Sequence, residues 1–155
     1  MKIYTLKKKQ KLPISLDAAW DFFANPKNLA IITPDSMNFN IISGDEKKMF
    51  AGQIIQYTVT PLLGIKITWV TEITHLVNNE YFVDEQRFGP YKLWHHKHFL
   101  NEVPGGVEIE DVVDYKLPMG ILGQIIHPFL VKSRLKQIFE YRNNKLIELF
   151  GEFKT

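Results

Sequence analysis

Apolar residues at Leu122, Ile125, Ile126, Phe129, Leu130, Leu135, Ile138, Phe139, Leu146, Leu149 and Phe150 recur at steps of three and four. That spacing stacks them on one face of an α-helix. Lys132, Arg134, Lys136, Glu140, Asn144 and Lys145 fall on the opposite face. The pattern predicts a helix over Ile121 to Phe150, about 45 Å long at roughly 1.5 Å per residue if it is continuous, longer than most globular helices. A stripe of that length needs a wide apolar partner. Pro128 interrupts it, because proline lacks an N–H and its ring clashes with the preceding turn. The expectation is a kink there, or a short helix from Leu122 to His127 followed by a long one.

The chain before the helix alternates in the manner of strands. Lys2 to Leu12 reads as a first strand, ended by Pro13. Ser15 stands where a helix N-cap belongs, and Asp17 adds negative charge to the first turn, so a short helix is expected through Phe23. Asn25-Pro26 breaks it. A second short helix is expected over Asn28 to Ile32, stopped by Thr33-Pro34-Asp35. Strands are then expected at Asn38–Ile42, Gln53–Thr60, Ile65–Val77, Tyr81–Phe88, Tyr91–Val103 and Val107–Leu117. Turn-forming residues separate them, among them Asn78-Asn79, Gly89-Pro90 and Pro104-Gly105-Gly106. The order strand, two helices, six strands, long helix predicts an α+β fold with an antiparallel sheet and helices on one face.

The turns set the register, and register decides which side chains share a face. If Asn78-Asn79 is a two-residue turn, Val77 faces Glu80. Ile65, Ile67, Trp69, Thr71 and Ile73 then look inward opposite Phe82, Asp84, Gln86 and Phe88. On the third strand, Ile55, Tyr57 and Val59 share one face. In the last strand Val107, Ile109, Asp111, Val113 and Tyr115 share the inward face. If Gly105-Gly106 is the turn, Trp94, His96, His98 and Leu100 face them, with His96 opposite Tyr115 and His98 opposite Val113. His95 and Lys97 point outward. The two registers agree only if the Gly89-Pro90 connection carries a bulge or an odd length, which brings Asp84 beside His96. The expected interior holds Asp84, Gln86, His96, His98, Asp111 and Tyr115 among Trp69, Phe82 and Trp94. Buried polar groups are costly unless paired, so this grouping points to a hydrated or ligand-filled cavity.

Composition narrows the picture. The 155 residues are 45% hydrophobic, enough for a core, and are expected to form a single domain over 1–155. The net charge of +2, with no basic block beyond Lys7-Lys8-Lys9, argues against a nucleic-acid partner. There is no cysteine, hence no disulfide and no thiolate site. No apolar run reaches membrane-span length and the first residues lack an apolar signal core, so a cytoplasmic protein without an integral membrane segment is expected.

Asn25-Pro26-Lys27-Asn28-Leu29 with Ile32-Thr33-Pro34 resembles the first helical segment of the START-like, or SRPBCC, ligand-binding superfamily. That superfamily includes polyketide cyclases, lipid-transfer domains and pollen-allergen-like proteins. The stretch Phe82–Phe99, with Asp84-Glu85-Gln86, Gly89-Pro90-Tyr91 and Trp94-His95-His96-Lys97-His98, is similar to a bacterial subgroup sometimes labelled cell division inhibitor, as is Leu117-Pro118-Met119-Gly120. The resemblance covers nearly the whole chain. It implies a helix-grip fold: a curved antiparallel sheet wrapped around a long C-terminal helix, with a cavity between them.

The functional expectation is therefore binding of a small hydrophobic or amphipathic molecule. Tyr57, Trp69, Phe82, Asp84, Gln86, Trp94, His96, His98, Asp111 and Tyr115 are the candidate ligand-binding residues. The alternative is a cyclase- or dehydratase-type enzyme. There Asp84 beside His96 would serve as a base and Tyr115 as a donor to a developing oxyanion. His96-x-His98 with Asp84 or Asp111 also has the makings of a metal site. A single His-x-His is weak support, so neither a metal nor a cofactor is expected.

Overall fold

The computed structural model describes residues 2–61, 64–118 and 130–154. Seven strands form one antiparallel sheet: β1 (Tyr4–Leu12), β2 (Asn40–Ser43), β3 (Ile54–Val59), β4 (Ile67–Val77), β5 (Tyr81–Phe88), β6 (Leu93–Val103) and β7 (Gly106–Lys116). Their order is β1-β7-β6-β5-β4-β3-β2, so the first strand crosses over to pair with the last. Helix α1 (Leu16–Phe23) follows β1, and helix α2 (Lys132–Phe150) ends the chain. The architecture is the α+β arrangement expected from the pattern. Pro128 and the short helix expected over Leu122–His127 lie outside the described residues.

Local chemistry explains the short elements. Ser15 caps α1, its Oγ accepting from the Ala18 N–H at 3.2 Å. The helix expected over Asn28–Ile32 is instead a 3-10 turn at Pro26–Leu29, capped by the Asn25 side chain, with a second 3-10 turn at Asp35–Met37. Pro26 and Pro34 leave too little chain between them for an α-helix to propagate. On α2 the buried positions are Leu135, Phe139, Arg142 and Leu146.

Two turns differ from the sequence reading. Val77 pairs with Tyr81 rather than Glu80. Asn79 adopts φ 62°, and the Glu80 N–H donates to the Val77 carbonyl at 3.1 Å, making a three-residue connection. A bulge at Thr74 then absorbs the extra residue, and Ile73 pairs with Asp84 and Thr71 with Gln86. A second irregularity pairs Val70, not Trp69, with Phe88. Phe88 is accordingly 71% exposed, and Ile65, just before β4, is 60% exposed. Neither faces inward as expected.

In the last hairpin Val103 pairs with Gly106, so Pro104-Gly105 is the turn. Gly105 supplies its positive φ of 87°. Gly106 is needed for another reason: a Cβ there would sit 2.0 Å from the Leu12 carbonyl oxygen. His96 thus pairs with Val113 and His98 with Asp111, not with Tyr115 and Val113. The slip is two residues, and side chains alternate with period two, so every residue keeps its face.

Candidate functional site

Strand β6 alternates about the sheet. His95 points outward and lies 3.3 Å from Glu85, and Lys97 points outward to Asp114 at 2.9 Å. His96 and His98 point inward and are buried. Asp84 of β5 sits opposite His96, and Asp111 of β7 opposite His98. Four ionisable groups from three adjacent strands therefore meet on one face, and Arg142 of α2 reaches them from above.

The geometry is two imidazoles between two carboxylates. The rings of His96 and His98 overlap, with centroids 3.7 Å apart, and Phe82 stacks on the far side of His98 at 4.1 Å. Asp84 Oδ2 lies 2.7 Å from His98 Nε2 and 3.4 Å from His96 Nδ1. Asp111 Oδ1 lies 2.9 Å from His96 Nε2 and 2.9 Å from His98 Nδ1. The last contact is close but off the direction of a hydrogen bond, leaving His98 Nδ1 without a hydrogen-bond partner among the described residues. Arg142 Nη1 stands 3.5 Å from the same Asp111 oxygen, and its guanidinium lies over the rings of Phe23 and Phe139.

Burial and charge compete here. Burial pushes the Asp84 carboxyl up, but the positive charge of His96 and the hydrogen bond from His98 outweigh it and hold it below the usual range. Asp111 is likewise raised by burial, yet Arg142 and both histidines bring it well below. Burial and repulsion from His98 depress His96. His98 feels the same burial, but its contacts with Asp111 and Asp84 raise it.

A cavity of about 190 Å³ opens beside this cluster, between the sheet, α2 and the segment from Phe22 to Met37. Tyr57, Trp69, Phe82, Asp84, Trp94, His96 and His98 line it, as does Arg142. Asp111 does not; it lies behind the histidines and faces a second, polar hollow against β1. Gln86 and Tyr115 are not brought to the wall. The Gln86 side chain folds onto the Tyr91 backbone, donating to its carbonyl at 2.6 Å and accepting from its N–H at 3.1 Å. Tyr115 packs against Tyr4 and Tyr91. The apolar wall also includes Ile55, Ile138 and Phe139. One polar pair and one lone donor interrupt it: Tyr57 Oη lies 3.1 Å from Thr71 Oγ1, and Trp69 Nε1 is buried without a hydrogen-bond partner among the described residues.

Arg142 is the cluster member the sequence reading missed. Leu135, Phe139, Arg142 and Leu146 follow the helical stripe at steps of four, three and four. A cation on an otherwise apolar face was the available signal.

No family model matches the chain, and no curated protein matches it in sequence. Its fold is nevertheless shared. Protein CV1439 from Chromobacterium violaceum superposes with a TM-score of 0.73 at 14% identity, over 96% of this chain and 99% of that one. Major latex-like protein 151 from Panax ginseng gives 0.70 at 10% identity, over 96% and 97%. Protein Ms6760 from Mycobacterium smegmatis gives 0.67 at 16%, over 96% of both chains. The likeness spans nearly the full length in each case, and what is shared is the fold: a seven-stranded antiparallel sheet with a long C-terminal helix.

Proposed function

We propose that this protein binds a small apolar or amphipathic molecule in the cavity between sheet and α2, its polar end turned toward Asp84, His96 and His98. The observation that carries the reading is the cavity itself: about 190 Å³, walled by Tyr57, Trp69, Phe82, Trp94 and Ile138, with charged groups gathered at one place. Apolar surroundings with a few convergent polar groups are the usual form of a ligand site. A dry cavity of roughly 150 Å³ already takes up benzene, so a one- or two-ring molecule is the matching size. The fold likeness adds support by analogy. Two experiments test the reading. Native mass spectrometry of the purified protein should reveal a co-purifying small molecule. Titration with 2-naphthol should quench the fluorescence of Trp69 and Trp94, and Ile138→Trp, which fills the space, should abolish the effect. Equal quenching in Ile138→Trp would place the probe elsewhere and remove the site.

A second reading, a cyclase- or dehydratase-type enzyme, draws on one contact: Asp84 Oδ2 lies 2.7 Å from His98 Nε2, and a carboxylate so placed orients an imidazole for proton transfer. The closer pair is Asp84–His98 rather than Asp84–His96, and Tyr115 is not among the residues that line the cavity. Extracting the co-purified molecule after prolonged incubation distinguishes the two. A binder returns it unchanged, whereas an enzyme yields a product that His98→Gln does not form.

A further inference from the structure

We propose that Asp84, His96 and His98 form a binding site for a divalent first-row transition-metal ion, zinc foremost, with Asp111 as the carboxylate that orients His96. One ligand atom from each of the three residues falls within 4.8 Å of the others. The arrangement is ordered beyond mere proximity. Each ring turns one nitrogen toward Asp84 Oδ2, at 3.4 Å for His96 Nδ1 and 2.7 Å for His98 Nε2. Each turns its other nitrogen toward Asp111 Oδ1, at 2.9 Å in both cases. Metal-binding histidines ordinarily have their second nitrogen held by a carboxylate, which sets the tautomer and aims the ring. Here Asp111 does so for His96 by a hydrogen bond, and stands at the same distance from His98 Nδ1 without one.

The dimensions suit the ion. Zinc binds histidine nitrogen and carboxylate oxygen at roughly 2.0–2.2 Å, so ligand atoms in a tetrahedral site stand about 3.4 Å apart. The His96–Asp84 separation already has that value, and the His98–Asp84 contact needs to open by about 0.7 Å. Two imidazoles and one carboxylate are a donor set for zinc, iron or cobalt rather than for calcium or magnesium. Arg142 lines the same cavity, and its charge reaches Asp84. Among the described residues its ion pair is with Asp111, on the opposite side of the imidazoles from Asp84. All three proposed ligands line the cavity while Asp111 does not. A bound ion would therefore present an open coordination position to the apolar space, the form of a site that acts on a ligand rather than one that only holds the fold.

The test uses the full chain, purified without a histidine tag and treated with EDTA. Titration with Co²⁺ should give one equivalent of binding with visible d–d bands. Asp84→Asn and His98→Ala should each weaken it by tenfold or more, and Asp111→Asn by roughly ten- to a hundredfold. His95→Ala, on the outer face of the same strand, should leave it unchanged. Absence of stoichiometric Co²⁺ and Zn²⁺ uptake by the wild type overturns the proposal. So does loss of binding in His95→Ala with retention in His98→Ala. Should the cluster variants fail to fold, imidazole NMR signals of the wild type decide. Zn²⁺ should shift those of His96 and His98, and shifts confined to His75 and His95 refute the site. The proposal does not depend on the small-molecule reading, since 2-naphthol quenching and Co²⁺ binding are measured separately.

Discussion

Arg142 carries the energetic weight at the scale of single residues. Its guanidinium is buried against two aromatic rings and faces the Asp111 carboxylate at 3.5 Å. Removing one partner of a buried ion pair leaves the other charged and desolvated, which typically costs 3–5 kcal/mol. Arg142→Leu should therefore lower stability by about 3 kcal/mol in urea denaturation. The loss should shrink when Asp111→Asn is added, because no carboxylate then remains uncompensated. Strict additivity of the two changes would mean that the pair does not interact. Trp69 offers a gentler case. Its Nε1–H is buried beside the cavity without a partner, so Trp69→Phe removes an unsatisfied donor and should cost less than the roughly 3–5 kcal/mol of an aromatic-to-alanine change.

At the scale of elements, the β4–β5 hairpin shows how a local choice is repaired within a few residues. Asn79 takes the left-handed conformation and donates from Nδ2 to Asp17 Oδ1 at 2.6 Å, tying the turn to α1. Asn79→Ala should lose that bond and add left-handed strain of about 1–2 kcal/mol. Asn79→Gly loses only the bond, so thermal denaturation should find glycine the milder change. The Thr74 bulge matters more for the site than the turn does, because it brings Ile73 and Thr71 of β4 onto the inner face beside Asp84. The turn and the bulge were not legible as a pair. Asn-Asn fits a two-residue or a three-residue connection equally well, and a bulge leaves no fixed residue signature. In the β6–β7 hairpin the misplacement was by an even number, and the histidines kept their orientation. Gly106 invited that error, since its demand comes from Leu12, far away in sequence.

For the whole molecule, the buried tyrosines set an alkaline limit. Burial raises Tyr57 and Tyr91, and raises Tyr115 to about 12. In the unfolded chain a tyrosine ionises near pH 10. Each group is raised in the folded state, so its contribution is fully present below about pH 10 and is lost as pH climbs toward the folded value. Denaturation midpoints should fall progressively above pH 10. Tyr57→Phe, which removes one of the three titrations, should flatten that fall. A pH-independent midpoint between 10 and 12 would contradict the burial. Among the described residues no helix is long and apolar enough to cross a membrane.

The alternation along β6 and β7 was enough to place His96, His98 and Asp111 on the inner face, because strand period is a property of the backbone alone. The helical period was likewise enough to mark α2 and the buried Leu135, Phe139 and Leu146, though Leu130 and Leu149 of the same stripe are exposed, and the chain of hairpins to require an antiparallel sheet. Tertiary structure decided the rest. That Gln86 folds back on Tyr91, that Tyr115 packs against Tyr4 and Tyr91, and that Asp111 stands behind the imidazoles depend on which neighbour each side chain meets, and no periodicity contains that information. The placing of Arg142 over Asp111 is the clearest instance. A charge on an apolar stripe announces that it has a partner, but only the docking of α2 on the sheet determines which one.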